Sequence, residues 1–150
     1  MSLIIPVGLP GCGKSTWPSS WDGNWAVIST DEIRIQLTGD VNEMRRNDEV
    51  FDLFHDYIKA SLGEGSTVYV DATNLRDFAR ATLRAIANLH DVPVHAIVFT
   101  NTEEAVTRNL ARDRVVPADV MARFALQFEQ ALKDIPQEGY DSITYISSFQ

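Results

Sequence analysis

The chain has 150 residues, 45% of them hydrophobic, which suffices for one buried core and not for two sizeable ones. Its formal charge of -8 argues against a broad, nonspecific nucleic-acid surface, because phosphate-rich partners are repelled at long range, although a local basic channel stays open, with arginines recurring at Arg76, Arg80 and Arg84 and again at Arg108, Arg112, Arg114 and Arg123. The single cysteine, Cys12, excludes an intramolecular disulfide and a multi-cysteine metal site. Pro6 and Gly8 break the N-terminal apolar stretch, and no run is long enough for a membrane span, so one domain over residues 1–150, residing in cytosol without a membrane partner, is expected.

LIIPV, residues 3–7, is predicted as a buried strand with Pro6 near its end, where a missing amide donor is tolerated. GKSTW, residues 13–17, should open a helix that Pro18 limits. AVIST, residues 26–30, reads as a second strand, followed by a helix beginning DEIRIQL in which Asp31 and Arg34 share a face. DEVFDLFHDYIKASL, residues 48–62, forms a second helix whose apolar stripe is Val50, Phe51, Phe54, Tyr57, Ile58 and Leu62. STVYVDATN makes a third strand with a polar tip, RDFARATLRAIANLH a helix and VPVHAIVFT a fourth strand. NTEEAVTRNLARD is helical, RVVP interrupts it, ADVMARFALQFEQAL resumes as helix, and SITYIS is a last strand.

Continuous apolar strands alternating with helices are the pattern of a parallel sheet covered on both faces, an α/β fold. Ligands of such sheets collect at the carboxyl ends of the strands. Here those ends carry GLPGCGKST, STD, DATN and FTNTEE, four separated pieces that should converge.

Gly8 to Ser15, GLPGCGKS, satisfies G-x-x-x-x-G-K-[ST] in a strand-loop-helix setting. The loop Gly8, Pro10, Gly11, Cys12 and Gly13 is glycine-rich enough for consecutive backbone N–H groups, Pro10 excepted, to turn inward as an anion-binding nest, and the helix N-terminus adds positive partial charge. In such a loop Lys14 reaches the β and γ phosphates, the Ser15 hydroxyl ligates the nucleotide's Mg2+, and Thr16 holds the α phosphate. ATP is the expected donor, with GTP and other triphosphates left open. Cys12 fits as a small side chain between phosphate-binding amides.

Asp71 ends an apolar strand and could hold a Mg2+ water, but no second acid follows it, and GTP-reading N-K-x-D is absent. A small kinase therefore fits better than a motor or a switch. A kinase needs a group to deprotonate its acceptor, and Asp31, at a strand end and helix start, is placed for this; the alternative is a carboxylate serving only the helix terminus. Arg34 holds an acceptor-side phosphate or steers Asp31, or else is an ordinary solvated arginine that pairs locally. Arg108 and Arg112 share a helix face and can form a lid over the donor phosphates, or pair along the surface with Glu104 or Asp113. Val116 either contacts a base or packs the loop. His55, His90 and His95 lack a metal-like partner set. Trp17, Trp21 and Trp25 are read as packing rather than base-stacking residues.

GLPGCGKSTW, STDEIR, VYVDATNLR and TRNLARDRVVPADVMARF together resemble the kinase domain of the bacteriophage 5'-polynucleotide kinase family over nearly the whole chain. The resemblance implies a P-loop kinase fold with an arginine-bearing lid, and transfer of the ATP γ-phosphate to a DNA or RNA 5'-hydroxyl end. It implies that Lys14 and Ser15 hold phosphate and Mg2+, that Asp31 activates the hydroxyl, and that Arg34 contacts the acceptor 3'-phosphate. Asp71, Thr73 and Asn74 look like the acceptor-side element, Arg108 and Arg112 like the lid, and Val116 like the nucleobase contact. The phosphatase domain that accompanies such kinases has no room in 150 residues, so end phosphorylation alone is expected, in host cytoplasm if the chain is phage-encoded. The alternatives are a P-loop kinase for a small metabolite and a nucleotide-dependent interaction protein.

Overall fold

The computed structural model describes residues 1–15, 17, 25–111 and 115–147. Five strands, β1 (Leu3–Val7), β2 (Trp25–Ser29), β3 (Thr67–Asp71), β4 (Val94–Phe99) and β5 (Ser142–Ile146), form one sheet in the order β2-β3-β1-β4-β5. Every pairing is parallel. The helices are α1 (Thr30–Thr38), α2 (Asn47–Gly63), α3 (Asp77–Leu89), α4 (Thr102–Asn109) and α5 (Ala118–Asp134), the last running into a 3₁₀ turn at Ile135–Gln137. All five strands and the succession of helices agree with the sequence expectation of an α/β fold built on a central parallel sheet.

The central strands are apolar without alternation because both their faces are covered: β1 is buried throughout, as are Val68, Tyr69 and Val70 of β3 and Ala96 to Phe99 of β4. In α2 the stripe is narrower than expected. Val50, Phe54, Ile58 and Leu62, four apart, are buried, whereas Tyr57 lies off that line and is exposed.

Pro6 sits in the middle strand of the sheet, a position usually closed to proline. The β1–β3 register explains it: pairing runs through Leu3↔Val68 and Ile4↔Tyr69 and then stops, while β1–β4 pairing continues to Val7↔Val98. Pro6 thus falls where the ladder with β3 has parted. Its carbonyl accepts instead from Asn74 Nδ2 at 2.8 Å, and Gly8 N donates to the Thr73 carbonyl at 3.2 Å. The parting opens a crevice at the carboxyl ends of β1 and β3, where successive connections leave in opposite directions.

Two expectations need correction or restriction. The arginine run Arg76, Arg80 and Arg84 on α3 does not supply a basic channel at Arg80, which is wholly buried and pairs with Glu138 through Nε–Oε1 at 2.9 Å and Nη2–Oε2 at 3.0 Å. Arg84 joins the same carboxylate at 3.1 Å. The helix expected after the phosphate loop is described only through its first turn, in which Trp17 N donates to the Gly13 carbonyl at 3.0 Å. Thr16, Pro18, Trp21, Arg112 and Arg114 lie outside the described residues.

Candidate active site

The crevice is a cleft of about 860 Å³ reached by the ends of β1, β2 and β3 and by α4 and α5. The phosphate loop contributes Pro10, Gly11, Gly13, Lys14 and Ser15 to its lining. Gly11 has φ +89, and a Cβ there would stand 2.6 Å from the Ala105 carbonyl oxygen, so the residue must be glycine both for its backbone and for the approach of α4. Lys14 is buried, with Nζ donating to the Gly8 and Leu9 carbonyls at 2.9 Å each and lying 3.4 Å from Cys12 Sγ. Cys12 is buried and does not line the cleft.

Behind the loop, the Tyr69 hydroxyl donates to the Lys14 carbonyl at 2.6 Å. The Tyr69 ring lies 6.1 Å from Trp17 and 6.0 Å from Trp25, and the two indoles are 5.9 Å apart. Both described tryptophans therefore pack in an aromatic stack under the loop, as the composition led one to expect.

Helix α1 brings Thr30, Asp31 and Arg34 to the cleft. The helix terminus is capped by Ser29, whose Oγ accepts from Glu32 N at 3.3 Å, so the cap does not account for Asp31. Arg34 is no solvated arginine. It is 5% exposed, with Nη1 donating to the Glu43 carbonyl at 3.0 Å and Nη2 to Asn47 Oδ1 at 2.8 Å. It thereby ties α1 to the connection leading into α2, which places Asn42, Met44, Asn47 and Phe51 on the cleft wall. Sequence reading missed these four because nothing local marks them; only a long-range arginine contact brings them there.

Asp71 and Thr73, at the tip of β3, line the cleft floor. Burial pushes the Asp71 carboxyl above its ordinary value, the Ser15 hydrogen bond and the Lys14 charge oppose this, and the nearby Asp31 and Glu32 charges add to it. Asn74 does not line the cleft. It is buried at φ +52, with Nδ2 directed to the carbonyls of Pro6, Val70 and Ala72. The structure thus places Asn74 as a clasp between β1 and β3, apart from the expected acceptor-side group.

On the far side, Arg108 lines the cleft and lies 3.6 Å from Glu104, the surface partner named for it by the alternative reading. Val116 lines the cleft with its backbone bracketed by Asn109, whose Nδ2 donates to the Val116 carbonyl at 2.8 Å and whose Oδ1 accepts from Val116 N at 3.0 Å. Val115, Pro117, Val120 and Phe124 continue an apolar wall facing Met44 and Phe51. The cleft lining thus combines phosphate-loop backbone, Lys14, Arg34, Arg108 and carboxylates with apolar side chains. Such a site can hold both a polyanion and a flat or apolar group.

A chain of the Pnkp1/Rnl/Hen1 RNA repair complex superposes with a TM-score of 0.71 at 21% identity, over 89% of this chain and 45% of that one. A second structure of the Pnkp1/Rnl/Hen1 complex matches at 26% identity and TM-score 0.62, over 71% and 38%. The chain therefore spans less than half the length of these relatives. Chaetomium thermophilum Kti12 in complex with ADP-AlF3 superposes with a TM-score of 0.70 at 16% identity, over 97% and 88%. No curated protein gives a significant match. Among the described residues no helix is long and apolar enough to cross a membrane. The architecture is an α/β fold of the P-loop-kinase-like kind, a central parallel sheet flanked by helices. A family model described as an AAA domain matches residues 3–131, and the chain belongs to that family.

Proposed function

We propose that the chain is a polynucleotide 5'-hydroxyl kinase, transferring the γ-phosphate of ATP to the end of a DNA or RNA strand, with residues 1–150 acting as its kinase domain. The observation that carries this reading is the shared cleft, lined at once by Lys14 and Ser15 of the phosphate loop and by Asp31 and Arg34 from a single turn of α1. In this reading the loop amides and Lys14 hold the donor phosphates, and Asp31 accepts the proton of the attacking hydroxyl. Arg34 receives the acceptor's phosphate, Asp71 and Thr73 border the acceptor, and the base rests on Val116 and its apolar neighbours. Arg108, with Arg112, neutralises charge as the phosphoryl group moves.

The Ser15 hydroxyl and the adjacent Asp71 carboxylate are hard oxygen donors at the phosphate end, a set that fits Mg2+ held mainly by substrate phosphates. When bound, Mg2+ supplies charge neutralisation at the β and γ phosphates. The RNA repair context of the matched complex supports a nucleic-acid acceptor, as do the four motifs in order. The strongly acidic whole is compatible with a short local groove for chain ends rather than a long duplex-binding face.

The test is transfer of labelled γ-phosphate from ATP to 5'-hydroxyl DNA and RNA oligonucleotides, with nucleosides and sugars beside them. Label on the oligonucleotides is the expected result. Label only on a small molecule replaces the substrate class with a metabolite and leaves the kinase chemistry standing.

A further inference from the structure

We infer that Asn101 is a positioning residue that locks the phosphate loop to the arginine-bearing helix, so that the loop amides and Arg108 meet the donor triphosphate as one unit. The inference rests on the nucleotide-binding half of the proposed function and is independent of the acceptor.

Asn101 stands between β4 and α4, at the helix N-cap, where asparagine ordinarily turns its side chain onto the first free amides. Here it makes no such bond. Its Nδ2 instead donates to the Cys12 carbonyl, 89 residues away in the middle of the phosphate loop, at 3.1 Å, and lies 3.3 Å from Glu104 Oε2. Glu104 in turn lies 3.6 Å from Arg108 Nη2. One side chain therefore touches the loop directly and Arg108 through a single intermediary.

A second contact makes the same connection without Asn101. At Gly11 a Cβ would meet the Ala105 carbonyl oxygen at 2.6 Å, Asn109 N at 3.2 Å and Arg108 Cβ at 3.4 Å, so α4 lies directly against the loop. The loop is held at Cys12 by a hydrogen bond and at Gly11 by close packing, one residue apart.

The energetics favour function over fold for this residue. Asn101 is 6% exposed, and its Oδ1 is buried without a hydrogen-bond partner among the described residues. A buried acceptor left unmet works against stability, so half of the amide is a cost to the folded state. What the other half secures is the placement of one backbone carbonyl in the phosphate loop.

The experiment measures binding of a fluorescent ATP analogue and melting temperature for the wild-type chain, Asn101→Ala, Arg108→Ala, their double variant and Leu83→Ala. Leu83 is a core residue of α3, 1% exposed and outside the cleft lining, and its truncation reports the effect of destabilisation alone. Asn101→Ala is expected to weaken binding about tenfold with a smaller fall in melting temperature than Leu83→Ala, which binds within about twofold of wild type. In the Arg108→Ala background the same change should cost less than about threefold, because the two residues act together. Wild-type affinity in Asn101→Ala, or the full loss repeated in the double variant, overturns the proposal. A wild-type chain that fails to bind the analogue removes the nucleotide reading and this inference with it. Analogue binding with the expected pattern, but no label on oligonucleotides, supports the inference and sinks only the acceptor assignment.

Discussion

Two regions among the described residues draw a carboxyl inward, around Glu138 and around Asp71, and they do so in opposite ways. At Glu138 burial alone would push the carboxyl up, but hydrogen bonds from Arg80 and Tyr140 and the charges of Arg80 and Arg84 outweigh it and hold the group below the ordinary carboxylate range. Tyr140, its own hydroxyl pushed up to about 12 mainly by burial, stays protonated and donates to Glu138 at 2.8 Å. At Asp71 burial again pushes upward, yet Ser15 and Lys14 do not overcome it, and Asp31 and Glu32 drive the carboxyl further up. The first cluster finds its complement within the chain; at the second, Ser15 and Lys14 do not offset burial and the neighbouring acids, in a cleft that opens to a ligand. Paired burial of the first kind belongs to structure, whereas a raised carboxyl in a cleft is a candidate for chemistry.

The sharpest way to break this comparison is Asp31→Asn, next to Asp71 in the cleft. Phosphate transfer is expected to fall by about 10³- to 10⁴-fold, as for loss of a general base, while the ATP analogue binds within about threefold of wild type. Steady-state transfer and a melting curve on the same preparation check it. Near-normal turnover would mean that the cleft carboxylates are as inert as Glu138.

Glu138→Ala attacks the other side. It leaves Arg80 buried with no carboxylate, and breaking a buried pair in this way costs about 3–5 kcal/mol of folding stability. Urea unfolding reads the loss, and analogue binding at low temperature, where the variant is still folded, should stay within about twofold of wild type. Weakened binding by folded protein would make the network part of the site, since Arg80 Nη1 also donates to the Asn74 and Leu75 carbonyls beside the β3 tip.

The same contrast separates what sequence reading can reach from what it cannot. The strands were legible because a parallel strand buried on both faces is written as an unbroken apolar run, LIIPV or VHAIVF. The phosphate loop was legible because its residues are contiguous, and Asp31 because a strand end followed by a helix start places it. Arg80 was not legible: four-residue spacing with Arg76 and Arg84 reads as a basic helix face, and the partner that draws it inside lies 58 residues on. Asn74 follows Asp71 so closely that it reads as a site residue, yet the carbonyl it serves is Pro6, on another strand. Asn101 and Asn109 gave no signal at all, because an asparagine at a helix end reads first as a cap. Contiguous chemistry can be read along the chain, whereas side chains that serve distant backbone become visible only once the sheet order is known.

The smallest effect expected is also the most direct test of opposite signs. Asp71 has a folded pKa above its unfolded value near 3.8, so the stability linked to it is present below that pH and is lost as pH rises through the raised folded value. Glu138 has a folded pKa below its ordinary 4.5, so its contribution is present above that pH and is lost as pH falls through the depressed value. Asp71→Asn keeps a hydrogen-bonding group beside Ser15 and removes the buried charge. It should therefore melt above wild type at pH 7 and match it below pH 3.8. Glu138→Gln should melt below wild type at pH 7 and approach it in acid. Melting temperatures across this pH range then give difference curves of opposite sign for the two variants. Curves of the same sign would show that Asp71 is paired as fully as Glu138, and the electrostatic case for the cleft as the chemical site would fail.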